Sequence, residues 1–416
     1  PICINKDTKK LKSLITMILN LAPNNSDFYK KMHEDTQHRL FYLNGYYDFI
    51  KSKFIEYDDN NIPFTTFIIE RDYKVNNNLV DEVYRRIFYP VFDVDYEEAD
   101  KEDPNKPLEP INNDKFKKMK YTIYQIARKL AGHVEDKTWL FFMGFRNSGK
   151  GLIQNALMHA FPNYVNSFDS NLLISKKMIG ELSKELAWMV DFEFSRIIFG
   201  SEVKRESDKY GNDTVKFNGS LIKLIMSGGD NLECRTNNKD ARKFPVQASI
   251  ALCANDIPKC EPTDCMDFMQ YIDMPCRFID DDIYAQTTAE EKNTFIKKEP
   301  DGDIKNWIKL DEVKQAIEFI MFKEYKTYRP LPEEFKFNKN SNNGVVSAEA
   351  RLFELFKILP ERTDEYITNT NLERKLAENH ISMSLLKAIK MLKSNGAVPY
   401  RTSTSRGLSC IEYKGE

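Results

Sequence analysis

Residues 139–151 read WLFFMGFRNSGKG, and this stretch decides the fold. A short apolar strand leads into a loop with the pattern Gly-x-x-x-x-Gly-Lys, and an apolar helical pattern follows from Leu152 to Phe161. The glycines let backbone N–H groups surround a phosphate, and the start of the helix adds its positive end. The stretch therefore predicts a nucleotide-binding phosphate loop between a strand and a helix.

The loop lacks one part of the usual pattern. Lys150 is expected to reach the β- and γ-phosphates of ATP. Ser or Thr normally follows the lysine and supplies a hydroxyl to Mg²⁺, but Gly151 occupies that position. The match favours ATP binding and leaves open how Mg²⁺ is held. The candidate nucleotide-binding residues are Gly144, Asn147, Ser148, Gly149, Lys150, Gly151 and Leu152.

Bulk composition excludes several classes of protein. A chain of 416 residues is too long for one ordinary core, so two or three domains are expected. The 41% hydrophobic and 30% charged residues are typical of a globular protein. A net charge of −2 excludes a nucleic-acid binder that works by overall basicity, so any such contact must come from local patches.

Neither membrane insertion nor secretion is expected. No apolar run approaches the roughly 18 residues of a membrane span, and the N-terminus does not resemble a signal peptide. The seven cysteines are scattered and odd in number, which indicates free thiols in a reducing compartment. Their spacing does not favour a zinc site.

Three regions are predicted along the chain: 1–110, 111–330 and 345–416. The first is a mixed α+β region, with a hairpin turn signal at Asn44 and Gly45, that ends in an acidic linker. In the second, strand candidates at 138–143, 196–200 and 248–254 alternate with helical patterns, which include helices predicted from about 116 to 131 and over 304–323. Such alternation predicts an α/β fold with a mostly parallel sheet.

The last 70 residues or so predict a compact unit of their own. Helices are expected at 347–358, 371–378 and 382–393, followed by two strands, which is winged-helix architecture. DNA contact and protein docking are both open roles for such a unit. The cations that would meet DNA phosphates are Lys387, Lys390, Lys393, Arg401 and Arg406.

An acidic partner for the phosphate loop is needed to hold Mg²⁺ and polarise the attacking water. Glu202 is favoured because it lies just past the apolar run 197–199, at the end of a strand where ligands of open α/β sheets bind. Asp191 and Glu193 are the second choice, with a solvated turn as the alternative interpretation. The candidate metal ligands are Glu202 and Asp191.

Two further features belong to the same region. Asn255 ends the strand-like run 248–254 and is a candidate for contacting the γ-phosphate or the attacking water, although Asn is also common in turns. The run NNKDARK (237–243) clusters Lys239, Arg242 and Lys243 between strand-like segments. It predicts a hairpin tip that presents cations to a nucleic-acid backbone, with a solvated loop as the alternative.

Together these segments resemble the superfamily-3 helicase domain of the poxvirus-type primase-helicases of large DNA viruses. The resemblance covers about residues 40–330 and depends on order and spacing more than on any single motif. The matching stretches are LFYLNGYYDF (40–49), GFRNSGKG (144–151), RIIFGSE (196–202), LIKLIMSGGDNLECR (221–235), ALCANDIP (251–258) and IDMPCRF (272–278).

The resemblance implies a P-loop, AAA+-like ATPase that forms a ring, usually a hexamer, and moves along single-stranded DNA. ATP would lie between subunits, with Lys150, Glu202 and Asn255 as catalytic residues. Lys239, Arg242 and Lys243 would line the channel. Arg277 would be the arginine finger, with Arg242 and Arg235 as alternatives. A viral replication site in the host cytoplasm, and a primase domain or polymerase as partner, are also implied.

Two other functions remain as alternatives. The missing hydroxyl at Gly151 and the single arginine in residues 265–278 also fit a ring that binds nucleotide and DNA but hydrolyses weakly, as a replication scaffold or loader. A small-molecule nucleotide kinase is disfavoured, because Leu152 stands where such kinases usually have Thr or Ser.

Overall fold

The computed structural model describes most of the chain between residues 28 and 414. The described residues are 28–58, 63, 65, 67–97, 109–110, 113–144, 146–175, 182–200, 216–235, 241–255, 259–279, 285, 296–298, 303–325, 352–353, 355–359, 366–378, 385–401 and 406–414. Two candidate site residues, Glu202 and Lys239, lie outside them.

Helices and strands alternate along the described residues. The α-helices are α1 (Phe28–Thr36), α2 (Val80–Val83), α3 (Tyr89–Phe92), α4 (Asn113–Leu130), α5 (Lys150–Ala160), α6 (Leu182–Glu185), α7 (Gly219–Ile225), α8 (Ile304–Trp307), α9 (Asp311–Glu324), α10 (Asn369–Glu378) and α11 (Leu385–Ser394). A π-helical turn (Tyr84–Phe88) joins α2 to α3, and short 3₁₀ helices lie at Val134–Asp136, Ser170–Leu173, Ala187–Phe192 and Thr263–Phe268.

The strands are β1 (Arg39–Phe41), β2 (Gly45–Asp48), β3 (Lys53–Glu56), β4 (Tyr96–Glu97), β5 (Glu109–Pro110), β6 (Trp139–Gly144), β7 (Val165–Phe168), β8 (Ile197–Gly200), β9 (Phe217–Asn218), β10 (Asn231–Cys234), β11 (Arg242–Pro245), β12 (Ser249–Ala254), β13 (Cys260–Glu261), β14 (Met269–Met274), β15 (Arg277–Ile279), β16 (Ile296–Lys298), β17 (Phe356–Ile358), β18 (Tyr366–Thr368), β19 (Val398–Arg401), β20 (Arg406–Ser409) and β21 (Ile411–Tyr413).

A five-stranded parallel sheet forms the centre of the molecule. Its order is β14-β6-β12-β8-β7, and every neighbouring pair is parallel. The strands predicted at 138–143, 196–200 and 248–254 are confirmed as β6, β8 and β12. All six residues of β6 are buried, as expected of a strand whose two faces are both covered. The strand that leads into the phosphate loop is thus enclosed by β12 and β14.

Side chains of β6 alternate between two hydrophobic cores. Leu140 and Phe142 belong to one core, whereas Trp139, Phe141 and Met143 belong to the other. This alternation follows from the period of two in a β-strand. The sheet therefore separates the two cores, with one apolar layer on each face.

The first of these cores also contains the N-terminal region and α9. The hydroxyl of Tyr42 donates to Glu318 on α9 at 2.7 Å, and the Tyr47 and Phe322 rings stack at 3.7 Å between centroids. Arg71 donates to the same carboxylate at 2.5 Å. Residues on both sides of the predicted boundary at 110 therefore share one core.

The N-terminal hairpin is confirmed, but the segment after it differs from a strand. β1, β2 and β3 form an antiparallel sheet, and Asn44 and Gly45 lie at the first turn. Among its described residues, the aromatic and β-branched run 63–73 contributes only an isolated bridge, between Ile69 and Tyr42. Here Asn163 and Tyr164 donate to backbone carbonyls of the run, so side chains occupy acceptors that a neighbouring strand would use.

The C-terminal unit has its own core. Helices predicted at 371–378 and 382–393 correspond to α10 and α11. The helix predicted over 347–358 is wrong at its end, because Phe356–Ile358 is a strand that pairs with Ile411–Tyr413. The last predicted strand is divided at Cys410, whose φ of 59° interrupts the extended backbone. The winged-helix assignment stays a prediction.

Two helix predictions elsewhere have different outcomes. The helix expected before the phosphate-loop strand is confirmed as α4. The helix predicted over 304–323 is divided into α8 and α9, because Leu310 has an extended backbone with ψ of 137°. Within the described part of the chain, no helix combines the length and apolar character needed to cross a membrane.

Candidate nucleotide site

Two glycines shape the phosphate loop. Gly149 has φ of +92°, and a Cβ atom there would lie 2.5 Å from Cγ2 of Val91. A Cβ on Gly144 would lie 2.5 Å from Oγ of Ser148 and 2.6 Å from the carbonyl oxygen of Met274. A larger residue at either position would thus force the backbone to move. The loop between β6 and α5 requires glycine where the sequence pattern has it.

Lys150 brings the predicted site together. Its Nζ donates to the carbonyl of Gly144 at 2.7 Å, to Oγ of Ser148 at 3.2 Å and to Oδ1 of Asn255 at 3.0 Å. Asn255 lies 105 positions away in the sequence, directly after β12. Oxygen atoms at the carboxyl ends of two parallel strands, β6 and β12, therefore hold the ammonium group over the loop. Ligands of open α/β sheets bind at this edge.

The contact with Lys150 also fixes the orientation of the Asn255 amide. An ammonium group only donates hydrogen bonds, so the amide oxygen must face it. The NH₂ of Asn255 is then turned away from Lys150. A donor in that place suits a phosphate oxygen or a water molecule, which is the chemistry expected of this residue from the sequence.

The remaining predicted loop residues differ in their surroundings. Asn147 has φ of 62°, and its carbonyl accepts a hydrogen bond from the backbone N–H of Phe278 at 2.9 Å. Gly151 is exposed in the first turn of α5, and a Cβ there would meet no atom within 4 Å. Leu152 packs against the first core. Gly151 is therefore not required by packing, unlike Gly144 and Gly149.

The candidate acids have unequal positions. Glu202 falls outside the described residues; β8 ends at Gly200, two positions earlier. Asp191 is exposed on the 3₁₀ helix Ala187–Phe192, which precedes the amino end of β8. The described residues show no hydrogen bond or ion pair between Asp191 and the phosphate loop. Asp191 as a metal ligand stays a prediction.

Glu193 has a role that the sequence did not reveal. Its side chain is 4% exposed, and its two carboxylate oxygens contact Nε2 of His33 at 2.8 Å and the Arg242 guanidinium at 2.6 Å. The alternative of a solvated turn is therefore wrong for this residue. Glu193 joins the first helix, α1, to the hairpin formed by β10 and β11.

That hairpin is confirmed, and two of its three predicted cations, Arg242 and Lys243, lie on a strand. β10 and β11 pair antiparallel, and residues 235–241 connect them. Arg242 and Lys243 begin β11, where Arg242 contacts buried Glu193 and Lys243 contacts Glu233 at 3.0 Å. The positive charges of both side chains are thus balanced within the chain. Lys239 lies in the connection, outside the described residues.

Arg277 lies beside the phosphate loop of its own chain. It begins β15, and the next residue, Phe278, donates to the loop at Asn147. Burial and the positive charge of Arg146 hold the pKa of Arg277 below its usual value. Arg146, inside the loop, was missed at the sequence level because the motif treats its position as variable.

Magnesium ligands beyond the nucleotide would come from few residues. The described part of the chain contains no cluster of three or more His, Cys, Asp or Glu side chains suited to a metal. Mg²⁺ at nucleotide sites keeps several waters and uses one or two carboxylates together with substrate phosphates. A preformed cage is therefore not needed, and Glu202 remains the predicted carboxylate.

Comparison with known proteins gives one curated relative. No protein-family model matches the chain. The chain is 24% identical over 300 residues to the putative helicase V13 of Sputnik virophage. The matched segment covers 71% of this chain and 33% of that protein. The chain thus spans about a third of the length of that relative.

Two solved structures show distant likeness. The apo C-terminal region of NrS-1, in its A form, matches with a TM-score of 0.38 and 10% identity over 82% of this chain and 77% of that one. JCV helicase, bound to a thiazolopyridine compound, matches with a TM-score of 0.31 and 12% identity over 50% of this chain and 52% of that one.

Proposed function

We propose that this chain is the ATP-hydrolysing part of a viral DNA helicase. The observation that carries the proposal is the contact of Lys150 with Asn255 at the carboxyl edge of the parallel sheet, within a loop whose glycines are sterically required. The similarity to a putative virophage helicase supports the same function.

In this proposal the chain's own groups position ATP for attack by water. Lys150 exchanges its contacts with Gly144 and Ser148 for β- and γ-phosphate oxygens, at the positive end of α5. The NH₂ of Asn255 donates to the γ-phosphate or to the attacking water. Glu202 accepts a proton from that water. Glu202 would hold Mg²⁺, and the ion would supply positive charge to offset the negative charge of the phosphates.

The finer parts of the proposal follow the resemblance to superfamily-3 helicases of the poxvirus type. The chain would form a hexameric ring with ATP between subunits and move along single-stranded DNA. It would serve viral DNA replication in the host cytoplasm, next to a primase domain or polymerase. The C-terminal unit would be a winged helix.

DNA contact is assigned to the β10–β11 hairpin. With a net charge of −2, the chain needs its positive charge concentrated where DNA lies. Lys239, Arg242 and Lys243 are the proposed contacts. Because Arg242 and Lys243 already have carboxylate partners, the connection containing Lys239 takes the larger share.

Turnover and DNA binding test the two parts separately. We expect ATP hydrolysis that single-stranded DNA stimulates and that Lys150→Ala abolishes. Absence of DNA stimulation, together with unchanged turnover in Lys150→Ala, would refute the helicase proposal.

For the hairpin, Lys239→Ala should weaken single-stranded DNA binding and reduce its salt dependence, with ATP affinity unchanged. Lys216→Ala is the matched control, since this exposed lysine pairs with Glu261 outside the hairpin. Equal DNA affinity in Lys239→Ala and Lys216→Ala would refute the assignment.

A second candidate is a nucleotide- and DNA-binding ring with weak hydrolysis, acting as a scaffold or loader. Gly151 favours it, because no hydroxyl follows Lys150 to reach Mg²⁺. The distinguishing result would be ATP and DNA binding that depend on Lys150 and Lys239, without DNA-stimulated turnover.

A further inference from the structure

The chain segment that contains Arg277 follows the phosphate loop closely. Met274, at the end of β14, is in register with Gly144. Phe278 donates its N–H to the carbonyl of Asn147 at 2.9 Å, and its ring lies 3.6 Å from the position of a Cβ on Gly149. The backbone before and after Arg277 is thus attached to the loop of the same chain.

Two arginines, Arg146 and Arg277, lie on these adjacent stretches of backbone. Arg277 is partly buried and Arg146 is exposed on the loop, and the hydrogen bond from Phe278 to Asn147 joins the residues that follow them in the chain. Burial and the positive charge of Arg146 both lower the pKa of Arg277. Within the described residues, neither guanidinium has a carboxylate partner. Adjacent like charges at a partly desolvated site are unfavourable unless an anion lies between or beside them. An anion bound beside both guanidinium groups would relieve this repulsion.

We propose that Arg146 and Arg277 bind the terminal phosphate of the nucleotide held by their own chain. The inference rests on the proposed ATP site and deepens it, because it makes the site selective for a nucleoside triphosphate over a diphosphate. Arg277 then acts within its own subunit, not as an arginine finger for a neighbour. Lys150 anchors either nucleotide, and the arginine pair recognises the additional phosphate.

Nucleotide binding by the full chain at a concentration where sedimentation shows a monomer tests this inference. Hydrogen bonds to charged groups contribute about 1.5–3 kcal/mol, so Arg277→Ala should weaken binding of a non-hydrolysable ATP analogue about 10- to 100-fold. ADP affinity should change by less than about threefold, since a factor of ten needs 1.4 kcal/mol. Arg146→Ala should act in the same direction, and Arg277→Lys should restore part of the loss.

Two control variants separate this inference from the ATP site itself. Arg374→Ala removes an exposed arginine from the C-terminal unit and should leave both affinities unchanged. Lys150→Ala should lose ATP analogue and ADP alike. If Lys150→Ala loses both nucleotides while Arg277→Ala binds the analogue normally, the inference is overturned and the ATP site stands. If the unaltered chain binds neither nucleotide, both fail.

Mixed assemblies give a second measurement that does not need a monomer. Lys150→Ala and Arg277→Ala chains are mixed and ATP turnover is measured. An arginine acting on a neighbour would meet an intact Lys150 at some interfaces, so turnover would return and overturn the inference. An arginine acting within its own chain leaves every site with one defect, and we expect no recovery.

Discussion

Replacing Gly151 with serine tests whether the lack of a hydroxyl at this position slows ATP hydrolysis. A Cβ at this position meets no atom within 4 Å, so the new side chain requires no rearrangement. Gly151→Ala is the matched control, because it adds the same Cβ without a hydroxyl. Glycine in a helix costs about 0.5–1 kcal/mol relative to alanine, so both variants should unfold less readily by up to that amount.

We expect the two variants to hydrolyse ATP at equal rates within about threefold, which is about 0.65 kcal/mol of barrier. The physical reason is that Mg²⁺ at such sites depends mainly on phosphates, water and one or two carboxylates. The assay is steady-state turnover with single-stranded DNA across a Mg²⁺ titration, with thermal unfolding measured in parallel. A gain of tenfold or more in the serine variant alone would refute this reasoning and favour the weakly hydrolysing ring.

Three other changes follow from buried charges and the loop. Burial raises the pKa of Glu318 to about 7, so its protonated form favours the fold. Relative to Glu318→Gln, the unaltered chain should lose about 3 kcal/mol of unfolding free energy as pH rises from about 4.5 to about 7, measured by urea denaturation at each pH. Burial lowers the pKa of Lys129 to about 8, and Asp136 keeps Arg128 as a partner at 2.5 Å. At pH 7, the free energy of unfolding of Lys129→Met should therefore equal that of the unaltered chain or exceed it by up to about 2 kcal/mol. This advantage should shrink between pH 8 and about 10.5, because the lysine of the folded chain loses its proton at a lower pH than the lysine of the unfolded chain. A clear loss of stability in Lys129→Met would contradict that expectation. Gly149→Ala should abolish ATP-analogue binding, because φ of +92° and the 2.5 Å approach to Val91 exclude a Cβ; unchanged binding would show that the loop adapts.

The strand, loop and helix of residues 139–160 could be predicted because their determinants are local. The strand, the glycines and Lys150 lie within thirteen residues, and each requirement acts through the backbone of that stretch. The contact between Lys150 and Asn255 was also accessible, because carboxyl ends of parallel strands share one edge of a sheet. A short apolar run that ends in Asn was thus enough to predict that Asn255 lies at the edge of the sheet where Lys150 lies.

Other features depend on contacts that no local pattern encodes. Glu193 is buried only because His33 and Arg242, from distant segments, supply its partners. The strand Phe356–Ile358 is too short for its period to be distinguished from the end of a helix, and its pairing with residues 411–413 decides the outcome. Arg146 and Arg277 lie on adjacent stretches of backbone because β14 lies next to β6, which is a property of the sheet order.

The shared core of the N-terminal region and α9 limits how this protein can vary. Tyr42 and Arg71, both in the N-terminal region, donate to Glu318 of α9, which is completely buried. Loss of the N-terminal region would therefore leave this carboxylate without these two donors in an apolar interior. Recombination that exchanged residues before 110 alone would carry that cost. The N-terminal region and α9 are therefore expected to be inherited together.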